Sequence, residues 1–289
     1  MFRARSIMIP TDFSQASIQA LAHGKMLAQQ FDATLCIVHI IPLSIPTFYA
    51  YPVPSNESQK SSMAEAENRM RELTRDFGGD LERCHVIARC GHIDEEILKL
   101  VEEANIDLIV MGRHGGRAFQ RWFMGSVTEN ILRKSPVPVL TVTHSEEGNT
   151  ASATPFKKIL AATDLSPAAG LGVEVAAALA RPLEGQLAVL HVLVSGQEEP
   201  PDLSALAPSN IAGLDVRRDV VAGTPHEAIV RYAEQSGADL IVLTLQGRGF
   251  LHRSLLGTTA DRVIRSTRLP VLTLPRDFVI RNHIRAGAE

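Results

Sequence analysis

The chain has 289 residues, 45% of them hydrophobic and 21% charged, the balance of a globular protein long enough for two domains. A net charge of −3 gives no overall bias toward nucleic acid or an anionic membrane, so any basic character must be local. The apolar stretch before Pro10 is too short for a secretory leader, and no run reaches the roughly 18 apolar residues of a membrane span, which predicts a cytoplasmic protein.

In chain order, Ile7–Pro10 reads as a strand and Ser14 to Phe31 as an amphipathic helix with Ser14 as its N-cap. "ATLCIVHII" is a second strand, followed by a proline-rich, aromatic loop, 42–54. A helix over about 58–77 has Met63, Met70, Leu73 and Phe77 spaced for one face. "CHVIARC" is a third strand, 93–104 a third helix, and "IDLIVMG" a fourth strand, apolar on both sides and so central. A helix at 126–134 and the strand "VPVLTV" close the unit. Cys36, Cys84 and Cys90, odd in number and without metal-ligand spacing, read as buried thiols of a reducing compartment.

The same order then recurs. Thr11-Asp12 returns as Thr163-Asp164 at an offset of 152 (164 − 12), and Ser14, Leu35 and His39 match Ser166, Leu187 and His191. From Gly91 onward the offset is 132 (223 − 91) and holds through Gly125/Gly257 to "PVLT" at 138–141 and 270–273. The expected division is a domain over 1–145, a linker at 146–155, a second domain over 156–279 and a tail, 280–289. Strands separated by helices predict an α/β fold, each half an open five-stranded parallel sheet covered on both faces. The third helix of the second half carries a capping-box pattern: Thr224, Pro225 and Glu227. Pro138 and Pro270 mark the last strands as edges.

"MGRHGGRAFQRWFMGS", 111–126, leaves the carboxyl end of the fourth strand and leads into a helix. Ligands of open parallel sheets sit beyond that end, where strand order reverses. A helix N-terminus there is an anion site, and Gly112 and Gly115 keep Cβ atoms out of the way. Arg113, Arg117 and Arg121 either add positive field or face water. Phosphate binding is the chemistry indicated. A Walker loop is excluded because Gly125 is followed by Ser126 and Val127, and no strand–GxGxxG–helix unit exists for a dinucleotide.

What the segment matches is Gly-x2-Gly-x9-Gly-Ser, at Gly112, Gly115, Gly125 and Ser126. This resembles the nucleotide-binding signature of the universal stress protein family, and "IPTDFS", "VHII" and "PVPVLTV" resemble the family's strands. The resemblance covers nearly the whole chain twice and implies two tandem Rossmann-like domains of the adenine nucleotide alpha hydrolase-like type. It implies an ATP site, magnesium being able to accompany the phosphates, formed by Pro10, Thr11, Asp12, Val38, His39, Met111, Gly112, Arg113, His114, Gly115, Gly125, Ser126, Val127 and Thr128. Asp12 would touch ribose, Val38 or His39 would lie along adenine, and Gly112, Gly115, Gly125 and Ser126 would hold phosphates. No catalytic residue and no metal ligand set is implied.

The residues by themselves leave other roles open. Asp12 can instead bond the next helix's N–H groups, and His39 and His191 can be packing residues. In the second half Thr244 stands at the first glycine position, while Asp164, Gly247, Gly257 and Thr258 keep theirs. A β-branched side chain there predicts a weaker second site. The resemblance also implies that the two last strands pair as a pseudo-dimer within the chain, with further association of two chains open. The leading reading is a regulatory ATP-binding protein of the stress response without efficient turnover. The alternatives are a slow ATPase or self-phosphorylating protein, with Ser126 or Thr128 as acceptor, and a nucleotide-free scaffold.

Overall fold

The architecture comes from a computed structural model that describes residues 2–42, 56–75, 83–114, 124–143, 153–194, 201–203, 213–245, 257–275 and 278. The first half runs β1 (Ser6–Pro10), α1 (Gln15–Phe31), β2 (Thr34–Pro42), α2 (Asn56–Arg75), β3 (Cys84–Gly91), α3 (Ile93–Glu103), β4 (Leu108–Gly112), α4 (Ser126–Lys134) and β5 (Val139–Val142). The second runs β6 (Lys158–Thr163), α5 (Pro167–Ala180), β7 (Gln186–Leu193), β8 (Asp215–Ala222), α6 (Pro225–Ser236), β9 (Leu240–Thr244), α7 (Thr258–Ser266) and β10 (Val271–Leu274).

The ten described strands form one sheet, in the order β3-β2-β1-β4-β5-β10-β9-β6-β7-β8. Each half is parallel throughout, as the alternation of strands and helices requires. The halves meet at β5 and β10, which pair antiparallel with Leu140 opposite Leu272. Those strands, which Pro138 and Pro270 mark as the edges of their own halves, therefore cover one another and are interior to the whole sheet. Both prolines stand just before their strands, where only their carbonyls are needed. Pro138 accepts from Ile109 N–H at 3.0 Å and Pro270 from Ile241 N–H at 3.0 Å.

Helices α1, α2 and α5 cover one face, and α3, α4, α6 and α7 the other. Each face has one core running through both halves. On the first, Ile7, Ile9 and Val110 pack with Ile159, Val189 and Val242; on the second, Met8, Ile109 and Ile131 pack with Leu160, Ile241 and Val263. Period-2 alternation on strands buried on both sides produces this arrangement.

Local signals mostly act as the residue types dictate. Ser14 and Ser166 cap α1 and α5, accepting from Ser17 N–H at 3.3 Å and Ala169 N–H at 3.2 Å. Asp107 and Asp239 (239 − 107 = 132) tie β4 and β9 to the starts of β1 and β6 through backbone N–H groups of Arg5, Ser6, Lys157 and Lys158. One pattern differs: Thr224 occupies the N-cap of α6, but its side chain makes no capping bond, so the capping box does not form. Cys36 is buried, Cys84 and Cys90 are half-buried, and all three are unpaired. Burial pushes the Cys36 thiol up to about 11, which keeps it protonated and inert.

Candidate functional site

Strand order reverses between β1 and β4: from β1 the chain builds outward to β2 and β3, then returns to place β4 on β1's other side. The carboxyl ends of β1 and β4 therefore bound the place where such a fold is expected to open a crevice. β1 leaves it through Thr11-Asp12-Phe13-Ser14. Thr11 N–H donates to Val38 C=O at 2.8 Å, and His39 Nδ1 lies 2.7 Å from Thr11 C=O, so β2 holds the turn from beside. Thr11 Oγ1 accepts from Phe13 N–H at 3.0 Å and meets Ser17 Oγ at 3.0 Å. Phe13 takes a left-handed backbone, φ 63°, and lays its ring 4.7 Å from that of His39, with the Arg69 guanidinium 4.1 Å above it. Asp12 Oδ1 accepts from Ser14 N–H at 3.0 Å, which realises its helix-start role.

The second half repeats this turn. His191 Nδ1 lies 2.9 Å from Thr163 C=O, Leu165 N–H donates to Thr163 Oγ1, Asp164 Oδ1 accepts from Ser166 N–H, and Leu165 has φ 63°. The recurrence of Thr-Asp and of the histidine thus has a scaffolding cause common to both halves. His39 and His191 anchor a turn, which is the packing role open to them from the sequence.

β4 leaves the crevice through Gly112 and Arg113, and its segment returns at Met124-Gly125. Arg113 N–H donates to Val142 C=O at 2.8 Å, and Arg113 C=O accepts from Gly125 N–H at 3.0 Å. Thr128 Oγ1 donates to Gly112 C=O at 3.0 Å. These bonds fasten the base of the segment and aim the start of α4 at the crevice. Gly125, the N-cap, is extended (φ −62°, ψ 144°) and supplies no side-chain cap to the first-turn N–H groups. Ser126 is exposed, whereas Thr128 is buried with its hydroxyl engaged. Met111 and Val38 face the α3/α4 core and Val127 packs against it, so only their backbones are available to a ligand. Pro10 ends β1 half-buried beside Val38.

Gly112 is small for a reason other than room for an anion. A Cβ there would lie 2.8 Å from Ala16 Cβ and 2.9 Å from Ala16 carbonyl carbon, in the first turn of α1. The same contact joins the two sides of the crevice: α1 and α4 begin on either side of the β1–β4 seam, held together through Gly112. Ala16 is a site-shaping residue that sequence reasoning missed, although alanine also stands at its twin, 168 (168 − 16 = 152).

Arg113 is placed elsewhere than expected. Its side chain is 1% exposed and reaches the second half, donating through Nη1 to Thr267 C=O at 2.5 Å and through Nη2 to Leu269 C=O at 3.2 Å. It neither faces water nor lines the crevice. Burial pulls its guanidinium down to about 10. His114 is half-buried, its Nδ1 enclosed without a partner, and burial followed by the charges of Arg113 and Arg265 lowers its pKa. The calls on Gly115, Arg117, Arg121 and Gly247, and on the loop 42–54 past Pro42, lie outside the described residues.

The second half changes three fastenings. Leu245 replaces Arg113 and Ala260 replaces Thr128 (245 − 113 = 260 − 128 = 132), so the threonine–carbonyl bond has no twin. Thr244 replaces Gly112, and its Cγ2 lies 3.3 Å from where a Cβ of Gly172 would be. Its methyl is turned to α5, not into the crevice, so the steric reason for a weaker second site does not hold. Gly257 remains at the start of α7, where a Cβ would stand 3.0 Å from Leu245 C=O, and Thr258 opens the helix. Among the described residues no group of three or more His, Cys, Asp or Glu could hold a metal ion, and no helix is long and apolar enough to cross a membrane.

Comparison with known proteins bears on this geometry. A model described as the universal stress protein family matches residues 3–143, and again 155–208 and 195–275. A universal stress protein of Methanocaldococcus jannaschii is 29% identical over 143 residues, 48% of this chain and 81% of that protein. One from Mycobacterium tuberculosis is 23% identical over 300 residues, covering 93% of this chain and 97% of its own length. The crystal structure of a universal stress protein from Archaeoglobus fulgidus superposes with a TM-score of 0.74 and 26% identity, covering 94% of this chain and 96% of that one.

Proposed function

The chain belongs to the universal stress protein family, and from that premise we propose that it is a regulatory protein whose first half holds an adenine nucleotide, ATP in particular. The observation that carries this reading is the convergence at the β1–β4 seam. There the starts of α1 and α4 meet through Gly112 and Ala16, and α4 begins at a glycine with no side-chain cap. Uncapped N–H groups and the positive end of the helix dipole suit a polyphosphate. Phosphate oxygens would be received at the N–H groups of Ser126 and Val127 and the Ser126 hydroxyl, passing the bare Cα of Gly125, whose own N–H is held by Arg113 C=O; ribose would lie at Asp12 and adenine along Val38–His39, with Gly115 bordering the phosphates. Magnesium would accompany the phosphates through its own waters, since no carboxylate cluster is gathered for it among the described residues.

The protein is further read as cytoplasmic, with domains over 1–145 and 156–279. The β5–β10 pairing would serve as a dimer interface within one chain. Its second site, at Asp164, Gly257 and Thr258, is read as the weaker because it lacks the threonine that ties α4 to Gly112. Among the described residues no nucleophile and base are paired in a way that would support efficient turnover. A slow self-phosphorylation is the second reading, favoured only by the exposed Ser126 hydroxyl at the start of α4.

A thermal shift with added ATP tests the proposal. Nucleotide at about 100 times its dissociation constant should stabilise the wild type by roughly 2.7 kcal/mol. Gly125→Val, shown folded by circular dichroism, should abolish the shift; its backbone angle, φ −62°, is open to any residue. A wild type that ATP does not shift refutes the reading. Transfer of labelled γ-phosphate to the wild type but not to Ser126→Ala would establish the second one.

A further inference from the structure

Among the described residues, Arg113 is a buried guanidinium with no carboxylate bonded to it and no partner for its Nε. Such burial is costly unless other groups compensate. Here the compensation lies wholly in the second half. Thr267 is the C-cap of α7, so the carbonyls that receive Arg113 sit at the negative end of that helix dipole. Thr267 Oγ1 accepts from Leu269 N–H at 3.1 Å, bending the turn so that the carbonyls of Thr267 and Leu269 converge on one guanidinium. A planar fork of donors fits two converging acceptors better than any other side chain does.

Meanwhile the Arg113 backbone fastens the base of the nucleotide segment, donating to Val142 C=O and accepting from Gly125 N–H. One residue therefore joins the N-cap of α4 in the first half to the C-cap of α7 in the second. The fold does not demand this, because the twin position carries Leu245. The turn of the first half, where Ser135 Oγ donates to Val137 C=O at 2.7 Å and accepts from Val137 N–H at 3.2 Å, faces no twin arginine.

We propose that Arg113 is a positioning residue through which the second half sets the nucleotide affinity of the first. The inference rests on the nucleotide reading above. With the guanidinium seated on Thr267 and Leu269, the Arg113 carbonyl stays in place to hold Gly125 N–H, and the first turn of α4 stays preset for phosphate. When it is unseated, ordering that base is charged against binding. By reciprocity, bound nucleotide steadies the 267–269 turn.

Titration calorimetry of the full chain with ATP, paired with hydrogen exchange, tests this. Arg113→Leu should weaken ATP about tenfold, equivalent to about 1.4 kcal/mol. Arg113→Lys, which keeps a donor but loses the fork, should fall between that variant and the wild type. Thr267→Ala, which removes the bond shaping the turn, keeps the carbonyl that receives Arg113 and lies outside the nucleotide segment, should weaken ATP in the same direction by a smaller factor, and Ser135→Ala should leave it unchanged. ATP should slow amide exchange over 263–271 in the wild type and not in Arg113→Leu. A purely structural arginine would lower the melting temperature but move neither ATP affinity nor that exchange. The inference falls if Arg113→Leu and Thr267→Ala, shown folded by circular dichroism, bind ATP like the wild type, or if Ser135→Ala weakens it as much as Thr267→Ala. A wild type that binds no adenine nucleotide overturns the site reading itself, and the coupling with it.

Discussion

At Gly112 a single hydrogen stands where any side chain would strike the backbone of α1. The Cβ of an alanine would sit 2.9 Å from Ala16 carbonyl carbon, and backbone cannot swing aside as a flexible side chain can. Gly112→Ala should therefore destabilise the protein by roughly 1–3 kcal/mol, the usual cost of overpacking, read from a urea transition. A loss below about 0.5 kcal/mol would show that the seam is looser than drawn. The second half meets the same need differently. Threonine at 244 is accommodated by glycine at 172 on α5, where the twin position, 20, is alanine (172 − 20 = 152). Small size is kept at the strand–helix contact while its owner changes sides, which explains how Thr244 fits without filling the crevice.

Between elements, the sharpest asymmetry is a histidine. His23 on α1 is buried, stacks on Phe156 with ring centroids 5.6 Å apart, and sets Nδ1 2.9 Å from Gln19 C=O, while its twin on α5 is Val175 (175 − 23 = 152). Burial lowers the His23 pKa below the ordinary 6.5, the helix carbonyl only partly opposing it. With the folded value below the unfolded one, the unfolded chain takes up its proton first as pH falls. Stability is then complete above about 6.5 and drops as pH falls from there toward the folded value. His23→Val should flatten this acid limb in chemical denaturation measured from pH 7 to pH 5. An equally steep limb in the variant would assign it to other groups. On the opposite face Glu129 bridges α4 and α7, 2.6 Å from Arg133 and 3.3 Å from Arg265, but all three are about one-third exposed, so the bridge orients more than it stabilises.

The whole molecule is organised about the β5–β10 seam. Leu140 faces Leu272, its own twin (272 − 140 = 132), so a local two-fold axis passes between them. The threonines obey it: Thr141 Oγ1 donates to Val271 C=O at 3.3 Å, and Thr273 Oγ1 to Val139 C=O at 3.1 Å. A first half made alone would present β5 as a bare apolar edge, which invites pairing with an identical edge. Residues 1–145 expressed by themselves should form dimers in light scattering, and Leu140→Lys in that piece should leave monomers. A monomeric unmodified piece would contradict the seam's role.

Much of this could be read from the chain because it lies in local pattern. Period-2 strands, period-3.6 helices, serine caps and the fixed 152 and 132 offsets act over short stretches and carry their own signal. So do the three glycines and serine after "IDLIVM", which match the family's nucleotide-binding signature at the end of a central strand. The roles of Arg113, Ala16, Gly172 and His23 had no such signature, for each is defined by an atom from a distant part of the chain. Arg113 next to Gly112 looks like a phosphate ligand until the carbonyls of Thr267 and Leu269, some 150 residues on, are seen to enclose it. The same holds for the prolines ahead of β5 and β10, which mark edges of each half but cannot reveal that the two edges meet. Sequence alone determined that there are two α/β units of one family and where the glycine signature stands in the first. Tertiary structure alone decided which side chains line the β1–β4 seam and which clasp the other half, because burial and partner choice depend on contacts that only the folded chain brings together.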